Sequence, residues 1–316
     1  MQISMRSIAI GVDVGGSHVS CAACNLDEKR YLPETFSEND LDNQGTVDDI
    51  IGAWSRTIQS TIDKVGLEHL SGIGFAMPGP FDYSHGIALF KGNNKKYENI
   101  YGLNVPDALR KSLNLPDNFP IRFINDATAF AIGEDWIGKA KGSKRLLAIT
   151  LGTGFGSAFL KDSLPVVSGS EVPEMGCVWY LPFENGNADD YFSTRGLLNR
   201  YHKISGIMLP GVKELAQLVD KQPGAKMLFD DFGRKLGMFL HPWIMKFDVE
   251  VLVIGGNISN AFPHFGESLK SMVKSNNVDV RIEVSELKET ASMIGSAVLV
   301  DESYYDRVKL LLTQMS

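Results

Sequence analysis

Cysteine is scarce in this chain, with three among 316 residues. That number builds no disulfide framework and fits a reducing compartment. No apolar run approaches the ~20 residues that a bilayer-spanning helix requires, and no leader segment is visible, so a cytoplasmic protein without membrane contacts is expected. Positive charge is also in deficit: 31 Lys and Arg stand against 38 Asp and Glu, a net charge of -7. The densest basic group, Lys139, Lys141, Lys144 and Arg145, reads as a solvated loop. A nucleic-acid surface, which needs a basic face, is therefore not expected. Cys21 and Cys24 have CxxC spacing, but an odd offset in an extended segment places them on opposite faces, and no second CxxC is present. Packing rather than metal binding is the expectation for both. Neither a Walker A sequence nor a G-x-G-x-x-G fingerprint occurs at the glycine-rich turns, which argues against P-loop and dinucleotide-binding folds.

What is present is an ordinary globular composition, 44% hydrophobic and 22% charged, in a chain long enough for two domains sharing a cleft. Apolar strand segments (Ile8 to Val12, Ile73 to Ala76, Ile121 to Ile124, Leu146 to Leu151, Val249 to Ile254, Val280 to Val284) alternate with helical patterns. Val47, Ile50, Ile51, Trp54, Ile58, Ile62 and Val65 mark one amphipathic helix, and Leu228, Phe232, Leu236, Leu240 and Trp243 mark another. Thr290 to Val300 and Val308 to Leu312 read as closing helices. Such alternation indicates α/β architecture.

Two strand-to-glycine turns echo one another: Asp13-Val-Gly15-Gly16-Ser17, and Thr150-Leu-Gly152-Thr153-Gly154 near mid-chain. Glycines at such bends let backbone N–H groups approach phosphate oxygens without interference from Cβ, and Ser17 and Thr153 add hydroxyls. With Gly255-Gly256 after a third strand, the set points to nucleotide binding, two tight hairpin turns without ligand being the plainer alternative. Asp13 ends an apolar strand beside the first turn, where a carboxylate ligates Mg²⁺ directly or through water, or simply caps its own turn. Asp126 opens a helix at a strand end. Read from the residues alone it is equally an N-cap and a general base for phosphoryl transfer to an alcohol.

Taken together, Asp13-Val-Gly15-Gly16-Ser17, Gly74-Phe-Ala-Met-Pro78-Gly79, Asn125-Asp126-Ala127, Leu151-Gly152-Thr153-Gly154-Phe155-Gly156, Glu174-Met-Gly176, Ile254-Gly255-Gly256-Asn257 and Ala291 to Ala297 resemble the ROK family of sugar kinases and repressors. The motifs occur in family order across nearly the whole chain. The resemblance implies a two-lobed actin-like ATPase (ribonuclease H-like) α/β fold, with ATP, Mg²⁺ and a sugar held in the cleft between lobes. It places an N-terminal lobe at 1–122, rejoined by a C-terminal helix at 302–316, and a second lobe at 123–301. It implies Asp126 as catalytic base and Asn125, Glu174 and Asp189 as sugar contacts, with Asn93 or Asn94 a further one on a looser alignment. Gly15, Gly16, Ser17, Gly152, Thr153, Gly154, Gly255 and Gly256 would meet the nucleotide, and Asp13 the Mg²⁺.

The departures from the family pattern carry information as well. Cys177 stands where many members have a zinc-ligating His, and no cysteine follows in 180–188, so no structural zinc is expected; packing through Trp179, Tyr180 and Phe183 would hold the loop instead. His18 replaces the common Lys and reads as a surface residue. The repressor branch carries a helix-turn-helix ahead of the first glycine turn; Asp13 stands close to the start of this sequence and the charge balance is acidic, so DNA binding is not expected. The expected reaction is transfer of the ATP γ-phosphate to a hexose hydroxyl, glucose 6-OH by default. Fructose, mannose or an amino sugar are alternative acceptors, and a non-catalytic sugar or nucleotide sensor is the alternative outside enzymology. Relatives are often homodimers, but no helix here displays an unmistakable interface.

Overall fold

The computed structural model describes residues 7–92, 96–274 and 279–315. Two compact units emerge, one formed by 1–141, 163–165 and 289–316, the other by 142–162 and 166–288.

The first unit is built on strands β1 (Ile8–Val14), β2 (His18–Asn25), β3 (Arg30–Asp40), β4 (Leu70–Met77) and β7 (Ile121–Asn125). They lie in the order β3-β2-β1-β4-β7, the first three antiparallel and β1, β4 and β7 parallel. Short strands β5 (Phe81–Asp82) and β6 (Ile87–Ala88) form a side hairpin, and β10 (Leu164–Pro165) is a two-residue strand. Helix α1 (Val47–Val65) starts at a capping box: Thr46 accepts from the Asp49 N–H and Asp49 returns a bond to Thr46 N–H, at 3.2 and 2.9 Å. Its apolar stripe buries Ile50, Trp54, Ile58 and Ile62, as the helical spacing predicts. Trp54 lies against Phe75, which stacks on Phe123 with centroids 5.0 Å apart. Helix α2 is Val105–Leu113 and α3 is Asp126–Trp136.

Helices α9 (Thr290–Val298) and α10 (Glu302–Leu312) complete this unit. Helix α9 approaches the sheet and α3 through glycines. A Cβ placed on Gly11 of β1 would lie 1.7 Å from the Met293 carbonyl oxygen, and one on Gly74 of β4 1.8 Å from that of Ser296. On the helix side, a Cβ on Gly295 would lie 1.8 Å from the Ala129 carbonyl. Backbone meets backbone along this seam, which is why no side chain is tolerated there.

The second unit repeats the plan. Strands β8 (Arg145–Leu151) and β9 (Phe155–Lys161) form an antiparallel hairpin, and β13 (Val251–Gly255) and β14 (Arg281–Val284) add parallel partners, in the order β9-β8-β13-β14. Around them lie a small hairpin of β11 (Pro182–Phe183) and β12 (Gly186–Asn187) and the helices α4 (Ala188–Phe192), α5 (Thr194–Ser205), α6 (Val212–Ala216), α7 (Pro223–Phe247) and α8 (Phe262–Lys274). Their core is rich in Phe: Phe155, Phe192, Phe232, Phe239 and Phe265 are all buried. The echo between the two glycine turns in the sequence is thus a repeated supersecondary unit, hairpin plus parallel strands. Among the described residues no helix is long and apolar enough to cross a membrane.

Candidate active site

In the first unit the chemically capable groups gather at the C-terminal edge of the parallel strands. Register pairs Asp13 with Ala76, Ala76 with Ile124 and Met77 with Asn125, so Asp13 and Asn125-Asp126 share one edge, two strands apart. Adjacent strands are ~4.8 Å apart, so this is one neighbourhood.

The structure separates two roles that the residues alone left open. Asn125, not Asp126, is the N-cap of α3: its Oδ1 accepts from Ala127 N–H at 3.1 Å and Thr128 N–H at 3.2 Å. Its Nδ2 donates to Asp126 Oδ1 at 3.0 Å and to Tyr83 Oη at 3.4 Å. Asp126 is the first helical residue, its Oδ1 also accepting from Ala127 N–H at 2.8 Å. Burial raises its carboxyl above the ordinary range, and the bonds from Ala127 and Asn125 hold it partly back.

Asp13 is perturbed further. Burial first, then the negative charges of Asp126 and Glu289, push it up to about 8. No side chain or N–H among the described residues donates to it. Among the described residues no group of three or more His, Cys, Asp or Glu is placed to hold a metal ion, so Asp13 by itself would offer a divalent cation one carboxylate, with water or phosphate oxygens completing the shell.

Next to Asp13 is the turn of Gly15, Gly16 and Ser17. Gly15 N–H bonds to His18 O at 3.0 Å, while Gly16 and Ser17 are exposed. Tyr97, buried, donates its hydroxyl to the Gly15 carbonyl, and Asn43 Nδ2 donates to the Gly16 carbonyl. Burial and the nearby Asp13 charge both raise the Tyr97 phenol, so it remains a donor. His18 is half-buried beside Gly15.

The second unit brings its own glycines together. Gly152 N–H bonds to the Gly154 carbonyl at 3.0 Å, closing the tip between β8 and β9. Gly255 pairs with Thr150, which brings the Gly255-Gly256 corner beside that tip. Gly256 has φ +78, and a Cβ there would sit 2.4 Å from the Leu151 carbonyl, so only glycine fits. Asp189 lies against the same tip. Its Oδ1 accepts from Phe155 N–H at 2.7 Å and its Oδ2 is 3.3 Å from Arg195. The carboxylate thus braces the turn through one oxygen and pairs with Arg195 through the other.

Glu174 is exposed in a tight turn in which Met175 and Gly176 both have positive φ. Tyr180 Oη donates to its carbonyl at 3.2 Å. Burial pushes the Cys177 thiol up to about 11, so it stays protonated at neutral pH. The loop that follows is packed by rings: Trp179 meets Tyr180 edge-on at 5.7 Å, and Phe183 meets Tyr191, Phe192 and Phe239 at 5.0, 4.9 and 5.4 Å. Asn93 and Asn94 lie outside the described residues. Sequence reasoning missed Tyr97 and Asn43, whose partners lie far away along the chain and leave no local pattern.

Comparison with known proteins shows the family and the fold of the chain. The ROK family profile matches residues 9–303. Among curated relatives, the glucokinase of Thermotoga maritima is 28% identical over 330 residues, covering 93% of this chain and 97% of that protein. The N-acetyl-D-glucosamine kinase of Photobacterium profundum is 28% identical over 272 residues, covering 79% and 84%. Among solved structures, the ROK hexokinase of Thermus thermophilus superposes with a TM-score of 0.75 at 20% identity, covering 96% of this chain and 99% of that one. The fold is that of the actin-like ATPases, as the motifs imply.

Proposed function

This chain belongs to the ROK family, and we propose on that premise that it is a sugar kinase transferring the γ-phosphate of ATP to a hexose hydroxyl, with glucose O6 as the first acceptor to test. The observation that carries this reading is Asp126: a carboxyl with raised proton affinity, relieved of capping by Asn125, on the strand edge that also bears Asp13 and the Gly15-Gly16-Ser17 turn. Asp126 takes the proton of the sugar hydroxyl as its oxygen attacks the γ-phosphorus. The bond to the bridging β,γ-oxygen breaks, and ADP departs.

The exposed N–H groups of Gly16 and Ser17 in one unit, and the Gly152-Thr153-Gly154 and Gly255-Gly256 turns in the other, are of the kind that bind phosphate without Cβ hindrance. Asp13 would hold Mg²⁺, directly or through water. Bound there, the ion supplies positive charge against the phosphates and the three acids. Asn125, Glu174 and Asp189 are the proposed sugar contacts; of the two carboxylates, Glu174 is on an exposed residue, whereas Asp189 is engaged by Phe155 N–H and Arg195.

An N-acetylated amino sugar is the second acceptor. The similarity of the chain to the Photobacterium profundum N-acetyl-D-glucosamine kinase equals its identity to the Thermotoga maritima glucokinase, and Cys177 departs from the zinc-bearing pattern at the sugar loop. The test is coupled ADP release over a panel of glucose, N-acetylglucosamine, N-acetylmannosamine, mannose and fructose, for the wild type and Asp126→Asn. Loss of roughly 10²- to 10⁴-fold in kcat with one preferred sugar is expected for the variant. Equal rates in both proteins would remove Asp126 from the mechanism. Sugar binding without any ADP release would make the protein a sensor instead.

A further inference from the structure

The turn between β1 and β2 is held in an uncommon way. All three of its carbonyls are engaged by the protein: Gly15 O accepts from Tyr97 Oη, Gly16 O from Asn43 Nδ2, and Ser17 O from Leu41 N–H at 2.9 Å. In a trans peptide the N–H points opposite to the C=O of the same plane. Fixing the Gly15 carbonyl therefore fixes the direction of the Gly16 N–H, and fixing the Gly16 carbonyl fixes that of the Ser17 N–H. Both N–H groups point away from the donors, and among the described residues neither meets an acceptor. Two successive N–H groups without acceptors, on residues exposed to solvent, are donors an anion can engage.

The two donors are themselves locked. Tyr97 is 1% exposed, its ring 5.9 Å from Trp54 and 5.2 Å from Phe90. It sits at φ +58, in the left-handed region that a bulky residue rarely adopts. Its N–H donates to the Asn43 carbonyl at 2.8 Å, so Tyr97 and Asn43 form one clamp. Asn99 reinforces it, donating to the carbonyls of Gln44 and Gly45 at 2.9 Å each. The Lys96 ammonium stands alongside, 3.3 Å from where a Cβ on Gly16 would be. Positive charge thus reaches the turn from position 96 although position 18 is His.

We propose that Tyr97 and Asn43 are positioning residues for the ATP phosphates: they turn two peptide planes so that the N–H groups of Gly16 and Ser17 face the polyphosphate. The proposal rests on the ATP-dependent reading above. It differs from a merely structural clamp in what it predicts for nucleotide affinity.

The experiment uses Tyr97→Phe, which keeps the ring between Trp54 and Phe90 and removes only the hydroxyl, and Asn43→Ala as an independent second variant. The probe is the β,γ-imido analogue of ATP with MgCl₂, measured by calorimetry, alongside thermal melting of the free proteins. Each variant is expected to bind the analogue roughly 5- to 10-fold more weakly, the effect of one misdirected hydrogen bond. The double variant should fall short of the product, because both act on one turn. Melting should shift by only a few degrees. Unchanged affinity in both folded variants would overturn the proposal while leaving the kinase reading intact. A wild-type protein that does not bind the analogue at all would overturn both.

Discussion

Gly11→Ala and Gly74→Ala test the packing logic that holds the first unit together. The two glycines pair in register across β1 and β4, both beneath α9. A methyl on Gly11 would stand 1.7 Å from the Met293 carbonyl oxygen, and one on Gly74 1.8 Å from that of Ser296. Carbon and carbonyl oxygen settle at about 3.3–3.6 Å, so α9 must lift by roughly 1.5 Å to admit either methyl. That helix buries Ala291, Met293, Ile294, Ala297 and Val298, and all would lose contact on one side. Overpacking costs about 1–3 kcal/mol where a side chain can turn aside. Here both partners are backbone, so about 3 kcal/mol or more is expected for each substitution. That is a large fraction of the total ~5–15 kcal/mol of a native domain.

Urea unfolding followed by circular dichroism would read the loss as a lower midpoint with unchanged slope. Gly52→Ala in α1 serves as the opposing control. The nearest atom to its added Cβ is Arg56 Nη1 at 3.2 Å, the mobile end of a side chain. Removing a helical glycine there should stabilise by up to ~1 kcal/mol. If Gly11→Ala and Gly74→Ala unfolded at the wild-type urea concentration, the backbone-to-backbone seam would be wrong.

Two further outcomes are expected. With metal chelated, Asp13 keeps its proton in the native state up to about pH 8, whereas the unfolded chain releases it near 3.8; native protein therefore binds the extra proton in between, and stability must fall as pH rises through that window, by at most about 1.4 kcal/mol per pH unit. Asp13→Asn should flatten this slope between pH 5 and 7 in urea unfolding, and parallel pH profiles for the two proteins would contradict the assigned burial of Asp13. Phe183, packed on three rings of the second unit, should destabilise by about 2–4 kcal/mol as Phe183→Ala, while a zinc-selective chelator in excess Mg²⁺ leaves melting unchanged; a drop under those conditions would mean that zinc rather than ring packing holds the loop.

Much of this organisation was legible locally. The spacing of Ile50, Trp54, Ile58 and Ile62 encodes α1, and strand-glycine punctuation encodes both hairpin tips, because these signals depend on neighbours a few residues apart. The opposite-face placement of Cys21 and Cys24 follows from strand geometry; both are buried, and burial pushes each thiol up to about 12. Strand β3 was not legible: Arg30 to Asp40 is largely polar with a proline inside. It exists because β2 pairs with it and because Thr35 Oγ1 accepts the Ala23 N–H at 2.8 Å where the register slips. Helices α2 and α8 went unread although their signal is local: Val105, Leu109 and Leu113 behind the Asn104 cap, and Phe265, Leu269 and Val273, recur at helical spacing and are buried.

By itself, then, the sequence determined the α/β class, the glycine turns, the amphipathic helices and which acids stand at strand ends. Tertiary structure alone decided that Asn125 caps α3 beside Asp126, that Asp13 is pressed by Asp126 and Glu289, and that Tyr97 and Asn43 turn the Gly15 and Gly16 carbonyls inward. The division has one physical cause. Periodicity and turn preference act over a few residues of chain, whereas burial, charge proximity and peptide orientation depend on groups that only folding brings together.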